Sequence, residues 1–259
     1  MSRRLIDLLN TLPAWLVPLS LLVAVEIAMR GSGIESDGLA LPSQVAIALA
    51  GLIADGEIFL RTAETIGAIA VGVPVGGTVG LLLGVWLGLS PKAAQLASLS
   101  IELFRPIPPV AIIPLTLLIY GLGIRMEAAI VAFACFWPML LLTRDAVRSV
   151  EPRLIEVARM LGLSRARQIA TIAIPAALPR IFTALRLTLG IALIVAVTTE
   201  ITANPIGLGY AIISAGLSLR PEAMYAFLVW LAVLGWLLNA GLIALHRRLF
   251  GAAHGEVAA

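Results

Sequence analysis

The chain has 259 residues, 60% hydrophobic and only 13% charged, with a mean hydropathy of +1.03. This excludes a soluble domain, because runs of about eighteen or more apolar residues need lipid or a buried bundle. The net charge of +3 does not mark a nucleic-acid binder: the basic residues are dispersed arginines near the ends of apolar segments, where they report orientation in a membrane.

The first predicted span is Leu12 to Met29, preceded by Arg3 and Arg4. It is about eighteen residues long and lacks a small-x-small cleavage site, so it reads as an uncleaved span with the N-terminus inside. Glu26 near its far end reads as interfacial. Gly31 to Leu60 is mixed in polarity and carries Glu35, Asp37, Asp55 and Glu57, which suits the outer face. Within it, Leu41-Pro42-Ser43 opens an amphipathic helix with Val45, Leu49 and Leu52 on one side.

Arg61 to Leu89 holds the second span. Gly72, Gly76, Gly80, Gly84 and Gly88 recur every fourth residue, a smooth stripe that lets another helix approach closely. Arg61 and Glu64 sit at its outer end. Ser90 to Phe104 reads as a cytoplasmic turn. Lys92 lies between Pro91 and Ala93, whereas a Walker A loop needs Gly before its Lys and Ser or Thr after it. The chain is therefore no P-loop ATPase, and ATP-driven transport would need a separate ATPase.

Arg105 to Gly123 is the third span. Pro106, Pro108, Pro109 and Pro114 remove backbone donors, and in lipid the freed carbonyls must be buried in protein or line a wet cavity. That makes the stretch, with Arg105, Pro106 and Pro109, a pathway candidate. Glu102 and Arg105 lie three apart and either pair with each other or serve the pathway. Glu127 to Thr143 is the fourth span, followed by Arg144 and Arg148 inside. Cys135, the single cysteine, reads as a small buried hydrophobe.

Glu151 to Pro179 is the polar interruption around which the second half is organised. Pro152 suits a first helical position. Leu154, Ala158 and Leu161 recur at helical spacing, with Arg153, Glu156 and Arg159 on the other side. Gly162 suits a left-handed helix stop, and Ser164 suits an N-cap. Pro175 and Pro179 are expected to break the chain before the fifth span, Ile181 to Ile201. That span contains Arg186, Thr199 and Glu200; an ionisable group there must face the bundle interior or water. Asn204 to Tyr210 reads as an outer turn, and Glu200 either guides substrate and the outer gate or partners this turn. Met224 to Leu245 is the sixth span, with Trp230 and Trp236 as packing residues. His246, Arg247 and Arg248 place the C-terminus inside. Both histidines, His246 and His254, follow the last span, so no intramembrane metal site is expected.

Six spans starting inside put Arg3, Arg4, Lys92, Arg144, Arg148, the arginines of 153–180, Arg247 and Arg248 on the cytoplasmic side, with Arg30, Arg61, Arg125 and Arg220 outside. This agrees with the positive-inside rule.

The motifs now carry a resemblance. Glu156-Val157-Ala158, then Gly162 after three residues, then Ile172 after nine and Ile174-Pro175 after one more, resemble the EAA motif of ABC importer permeases. Val157 stands for the usual Ala and Ile174 for the usual Leu. Arg105-Pro106-Ile107-Pro108-Pro109, the run Tyr120-Gly121-Leu122-Gly123, and Glu200 ahead of Gly207-Leu208-Gly209-Tyr210 resemble the nitrate/sulfonate/taurine subgroup. Tyr120 replaces the usual Phe. The resemblance covers roughly Leu41 to Tyr210.

It implies an all-α, polytopic membrane protein of the type I importer permease class, one permease domain over 1–259 with a coupling loop at about 151–179. The coupling residues would be Glu156, Val157, Ala158, Arg159, Leu161 and Gly162, seated in a cleft of the ATPase. The pathway and gate candidates are Arg105, Pro106, Pro109, Arg186, Thr199 and Glu200. Implied partners are two cytoplasmic ABC ATPase subunits, a second copy of this chain, a periplasmic or lipid-anchored solute-binding protein and the bilayer of a bacterial cytoplasmic membrane, with both termini cytoplasmic and no nucleic acid. This chain would bind no cofactor; ATP and Mg would sit on the ATPase. The subgroup implies a small anion such as nitrate, a sulfonate or taurine, while related permeases carry vitamin or pyrimidine precursors. An ion-coupled secondary transporter is the other class, although no internal repeat and no midplane carboxylate favour it. A membrane enzyme would need a nucleophile–base pair or metal cluster that the spans lack.

Overall fold

The computed structural model describes residues 16–32 and 38–250. Arg3, Arg4, the start of the first span at Leu12, Glu35, Asp37 and His254 lie outside the described residues. Among those described, every regular element is helical. The chain forms two compact units, one of Met1–Phe59 with Ala211–Trp230, the other of Leu60–Tyr210 with Leu231–Ala259.

In the first unit, α1 (Leu16–Ser32) and α2 (Pro42–Ala54) are joined through Glu26. Its carboxylate accepts from the Ser43 backbone N–H at 3.0 Å and from Ser43 Oγ at 2.8 Å, and Arg30 Nε donates to it at 2.6 Å. A carboxylate at the first turn of a helix satisfies donors that have no partner within it. The α2 start at Pro42 is as the sequence reads, with Val45 and Leu49 half-buried and Leu52 buried.

The second unit is built on α3 (Glu57–Leu89) and α6 (Ile124–Arg148). The glycine stripe of α3 is the seam between them. A Cβ on Gly72 would come within 2.7 Å of the Ala128 carbonyl oxygen, one on Gly80 within 2.6 Å of that of Phe136, and one on Gly84 within 2.6 Å of that of Leu140. One on Gly76 would run into the Ala132 backbone. Lipid supplies no hydrophobic drive between helices, so this close backbone packing takes its place. Ile130, Val131, Cys135, Ala192 and Ala196 form a buried cluster beside the seam.

Two expectations are corrected. Ser90 to Phe104 is not a turn: α4 (Pro91–Phe104) is a helix of 14 residues, started by Pro91 in its first turn and by Ser90 Oγ, which accepts from Ala93 N at 3.3 Å. The chain then bends by 78° into a second arm, Pro109–Tyr120, made of a 3₁₀ turn and α5 (Ile113–Tyr120). That arm alone rises only about 20 Å, short of the roughly 30 Å hydrocarbon core. The expected third span, Arg105 to Gly123, is therefore the second arm of a bent pair. Among the described residues, four helices are long and apolar enough to cross a membrane, or five with the bent pair; the expected first span begins outside the described residues.

The second correction concerns Pro175 and Pro179. They do not break the chain: α8 (Arg165–Gln168), a π turn (Ile169–Ala173) and α9 (Ile174–Thr202) run as one 38-residue helix. In the π turn Ile174 N donates to Ile169 O, five residues back. That wider turn gives the Pro175 ring room against the preceding carbonyls. The last helices are α10 (Gly207–Leu217) and α11 (Pro221–Phe250); α7 is Pro152–Met160.

Candidate coupling surface and pathway residues

At the Arg148 end of α6 the chain enters α7, which starts at Pro152 as its sequence dictates. Gly162 stops it with φ +68°. Leu163 N donates to Ala158 O at 3.1 Å, the long bond that closes a left-handed helix end. Ser164 then caps α8, its hydroxyl accepting from Arg167 N at 3.5 Å. Of the expected apolar side of α7, only Ala158 is buried. Leu154 and Leu161 are exposed, and so are Val157 and Met160, the last at 87%. An apolar stripe left open on a short surface helix marks an interaction face. Glu156 is turned into a cavity of about 870 Å³ that Arg148, Arg165, Gln168 and Pro91 also line. The Arg180 guanidinium donates to Ser149 Oγ and ties α9 to the end of α6. Arg159 lies on α7 by its backbone.

Arg105 follows α4 directly. It is exposed, and among the described residues no ion pair joins it to Glu102, so the expected pairing does not form. With Ile107 and Pro109 it lines a cavity of about 460 Å³, whose far wall is Trp137, Arg144 and Asp145 of α6. Pro106 is exposed outside this wall. Arg186 is placed elsewhere: its Nε donates to Asn239 Oδ1 at 2.7 Å, on the side of α9 that meets α11. Phe182 against His246, with ring centroids 5.0 Å apart, lies on the same side.

The other end of α9 is closed. Thr199 is buried and its hydroxyl only returns to Val195 O of its own helix at 2.8 Å. Glu200 is 1% exposed. Its Oε1 accepts from Thr65 Oγ1 at 2.6 Å and its Oε2 from Gly209 N at 2.7 Å. Thr65 Oγ1 in turn accepts from Leu208 N at 3.0 Å, and Glu64 Oε2 accepts from Gly207 N at 2.8 Å. The first three N–H groups of α10, which have no acceptor within the helix, are thus each met by a side chain. The acids also suit the positive end of its dipole. Of the two readings of Glu200, this geometry makes it the partner of the turn. The expected turn Asn204–Tyr210 is shorter than read, because Gly207 already opens α10.

Sequence reasoning missed the other half of this anchor. Glu127 is fully buried; its Oε2 accepts from Asn204 Nδ2 at 2.7 Å, and Asn204 Oδ1 accepts from Gly123 N at 2.9 Å. The signal was present, since an acid inside an apolar span must find polar company. Thr65 carried no such signal.

The chain as a whole is similar to known proteins. The family described as binding-protein-dependent transport system inner membrane component matches residues 76–251. The taurine transport system permease protein of Escherichia coli (strain K12) is 34% identical over 203 residues, 78% of this chain and 74% of that protein. A putative aliphatic sulfonates transport permease protein of Bacillus subtilis (strain 168) is 31% identical over 89% of this chain and 84% of its own length. The nitrate import permease protein of Leptolyngbya laminosa is 27% identical over 72% of this chain and 67% of its own. Among solved structures, an inward-facing form of the MetNI methionine ABC transporter superposes with a TM-score of 0.66 at 23% identity, covering 74% of this chain and 95% of that one.

Proposed function

The chain belongs to the family of binding-protein-dependent transport system inner membrane components, the permease subunits of ABC importers, and on that premise we propose that two copies of it form an alternating-access pathway for a small anionic solute in a bacterial cytoplasmic membrane. The chain is a transport subunit, not an enzyme. Hydrolysis belongs to a separate ATPase, which would carry ATP and Mg and would have to favour one state of the pathway by differential contact energy. A solute-binding protein would deliver the solute to the opposite face.

The observation that carries the reading is α7, Gly162 and α8: a capped helix–turn–helix with an open apolar stripe of Leu154, Val157, Met160 and Leu161. Such a stripe fits a partner cleft at the cytoplasmic face. Glu156, Val157, Ala158, Arg159, Leu161 and Gly162 would be the coupling residues. Arg144, Arg148, Arg153, Arg165, Arg167 and Arg180 cluster in sequence around the same end of α6 and α9, which puts that end inside by the positive-inside rule, with both termini cytoplasmic. The anionic solute is inferred from the names of the relatives, taurine, sulfonates and nitrate. Arg105, Pro106 and Pro109 would border the pathway, with Arg186 and Glu200 holding the helix that flanks it and Thr199 lying within that helix.

The test is to purify the tagged chain in mild detergent, identify what accompanies it by mass spectrometry and assay the eluate for ATPase activity. A P-loop ATPase with two copies of this chain per complex is expected. A single chain that moves solute on an ion gradient, without any ATPase, would overturn the proposal.

A further inference from the structure

The cavity beside Arg105 is not explained by coupling or by packing. Its wall holds two arginines and one acid. Asp145 Oδ1 is engaged by Arg144, at 3.1 Å from Nε and 3.0 Å from Nη2, so the wall keeps one positive charge in excess. Arg105 makes no ion pair among the described residues although Glu102 stands three residues away. It is presented by a stretch in which Pro106, Pro108 and Pro109 fix the backbone φ, so little backbone entropy is lost on engaging a ligand. Opposite it, the Trp137 ring is locked edge-on by Phe136 at 4.8 Å and Phe133 at 6.1 Å. Its buried Nε1 donor has no acceptor among the described residues.

We propose that this cavity is a binding site for an oxyanion headgroup, with the Arg105 guanidinium as its fork donor, the Asp145-paired Arg144 beside it and Trp137 as its apolar wall. The chemistry is specific. Guanidinium forks match the paired oxygens of a sulfonate, carboxylate, nitrate or phosphate. A cation would meet an excess of like charge. A wholly apolar ligand would strip water from two arginines without replacing it. The oxyanion has two sources, a solute in transit or the phosphate of an anionic lipid; only the first rests on the importer reading above.

The test reconstitutes the full-length chain, labelled with 5-fluorotryptophan, in nanodiscs of uncharged phosphatidylcholine, with the Trp137 resonance identified by Trp137→Phe. Ethanesulfonate is titrated in, and a parallel sample replaces part of the lipid with phosphatidylglycerol. A saturable shift of Trp137 with ethanesulfonate assigns the site to a solute. A shift with phosphatidylglycerol alone assigns it to lipid. In either case Arg105→Gln weakens the response about tenfold or more, and Arg105→Lys restores part of it. The Trp230 resonance, whose ring packs edge-on to Phe59 at 5.9 Å, reports that each variant is folded. No Trp137 shift with either probe, or an unchanged response in a folded Arg105→Gln, overturns the site. The readout needs no ATPase, so its failure is separate from failure of the importer reading.

Discussion

The two ends of α6 and α9 are built on opposite principles. Where α10 begins, Glu64, Glu200, Thr65 and Asn204 accept from backbone donors at 2.7–3.0 Å, and Glu127 holds the Asn204 side-chain amide at 2.7 Å. Where α7 and α8 lie, Leu154, Val157, Met160 and Leu161 are left uncovered. The first end uses its polar groups to hold one conformation. The second has a defined helix stop and cap but leaves its apolar contacts to be made with something else. Substitutions at the closed end and along its seam should therefore register as lost stability. Those at the open end should register as lost coupling in a protein that remains folded.

The largest effect is expected at the seam. Gly76→Ala places a methyl against the Ala132 backbone, which cannot rotate away. Overpacking of this kind costs about 3 kcal/mol, and the variant should melt well below the parent in detergent. Gly77→Ala, one residue on, meets nothing within 4 Å. It should be neutral or gain up to about 1 kcal/mol from helix propensity. Equal behaviour of the two variants would show that the close approach is not what holds α3 to α6.

Next comes the closed end itself. Glu200→Ala leaves the Gly209 N–H without its acceptor in a buried site, while the Thr65 hydroxyl keeps the Arg61 carbonyl at 3.2 Å. A stranded buried donor costs about 1–3 kcal/mol, so thermal unfolding should show a loss of about 2 kcal/mol. A variant as stable as the parent, but with altered solute selectivity, would restore the guiding role to Glu200 and remove the contrast between the two ends.

The open end answers differently. Gly162→Pro cannot adopt the φ of +68° that stops α7, and Glu156→Lys reverses a charge in the cavity wall. Glu156→Lys lies away from the buried seam, so its stability should change by about 1 kcal/mol or less, whereas Gly162→Pro must remodel the end of α7 at a local cost of about 1–3 kcal/mol with the buried seam intact. Substrate-stimulated ATPase activity of the complex should nonetheless be lost. Normal stimulation in both variants would mean that this surface is not the coupling element.

What was legible in the chain follows the same division. The helix stop at Gly162, the Pro152 start and the glycine seam are local or periodic signals, and all three appear at their expected residues. Prolines misled at both places where tertiary context decides their effect. Pro91 starts a helix where a turn was read, and Pro175 is absorbed by a π turn where a break was read. The buried anchor was half visible. Glu200 stood out as an acid before a glycine turn, but Thr65 on α3, which donates to it, lies far away in sequence, as does Glu127 on α6 from the Asn204 that it binds. No periodicity links such positions. Arg186 shows the converse, a charged residue whose depth suggested the pathway and whose hydrogen bond to Asn239 turns it toward α11.

The smallest expected effect is the sharpest control on the closed end. Thr199 neighbours Glu200 and is equally buried, yet its hydroxyl serves only Val195 O within α9. Its backbone carbonyl, which accepts from Asn204 N at 3.1 Å, is what contributes to the turn. Thr199→Val keeps that carbonyl and the shape of the side chain. It removes one bond back to the helix, where such bonds add little. Stability should change by about 0.5 kcal/mol or less, and transport should be unaffected. A large loss in Thr199→Val beside a small one in Glu200→Ala would invert the assignment, placing the anchor in the packing of α9 and leaving the carboxylate free for another role.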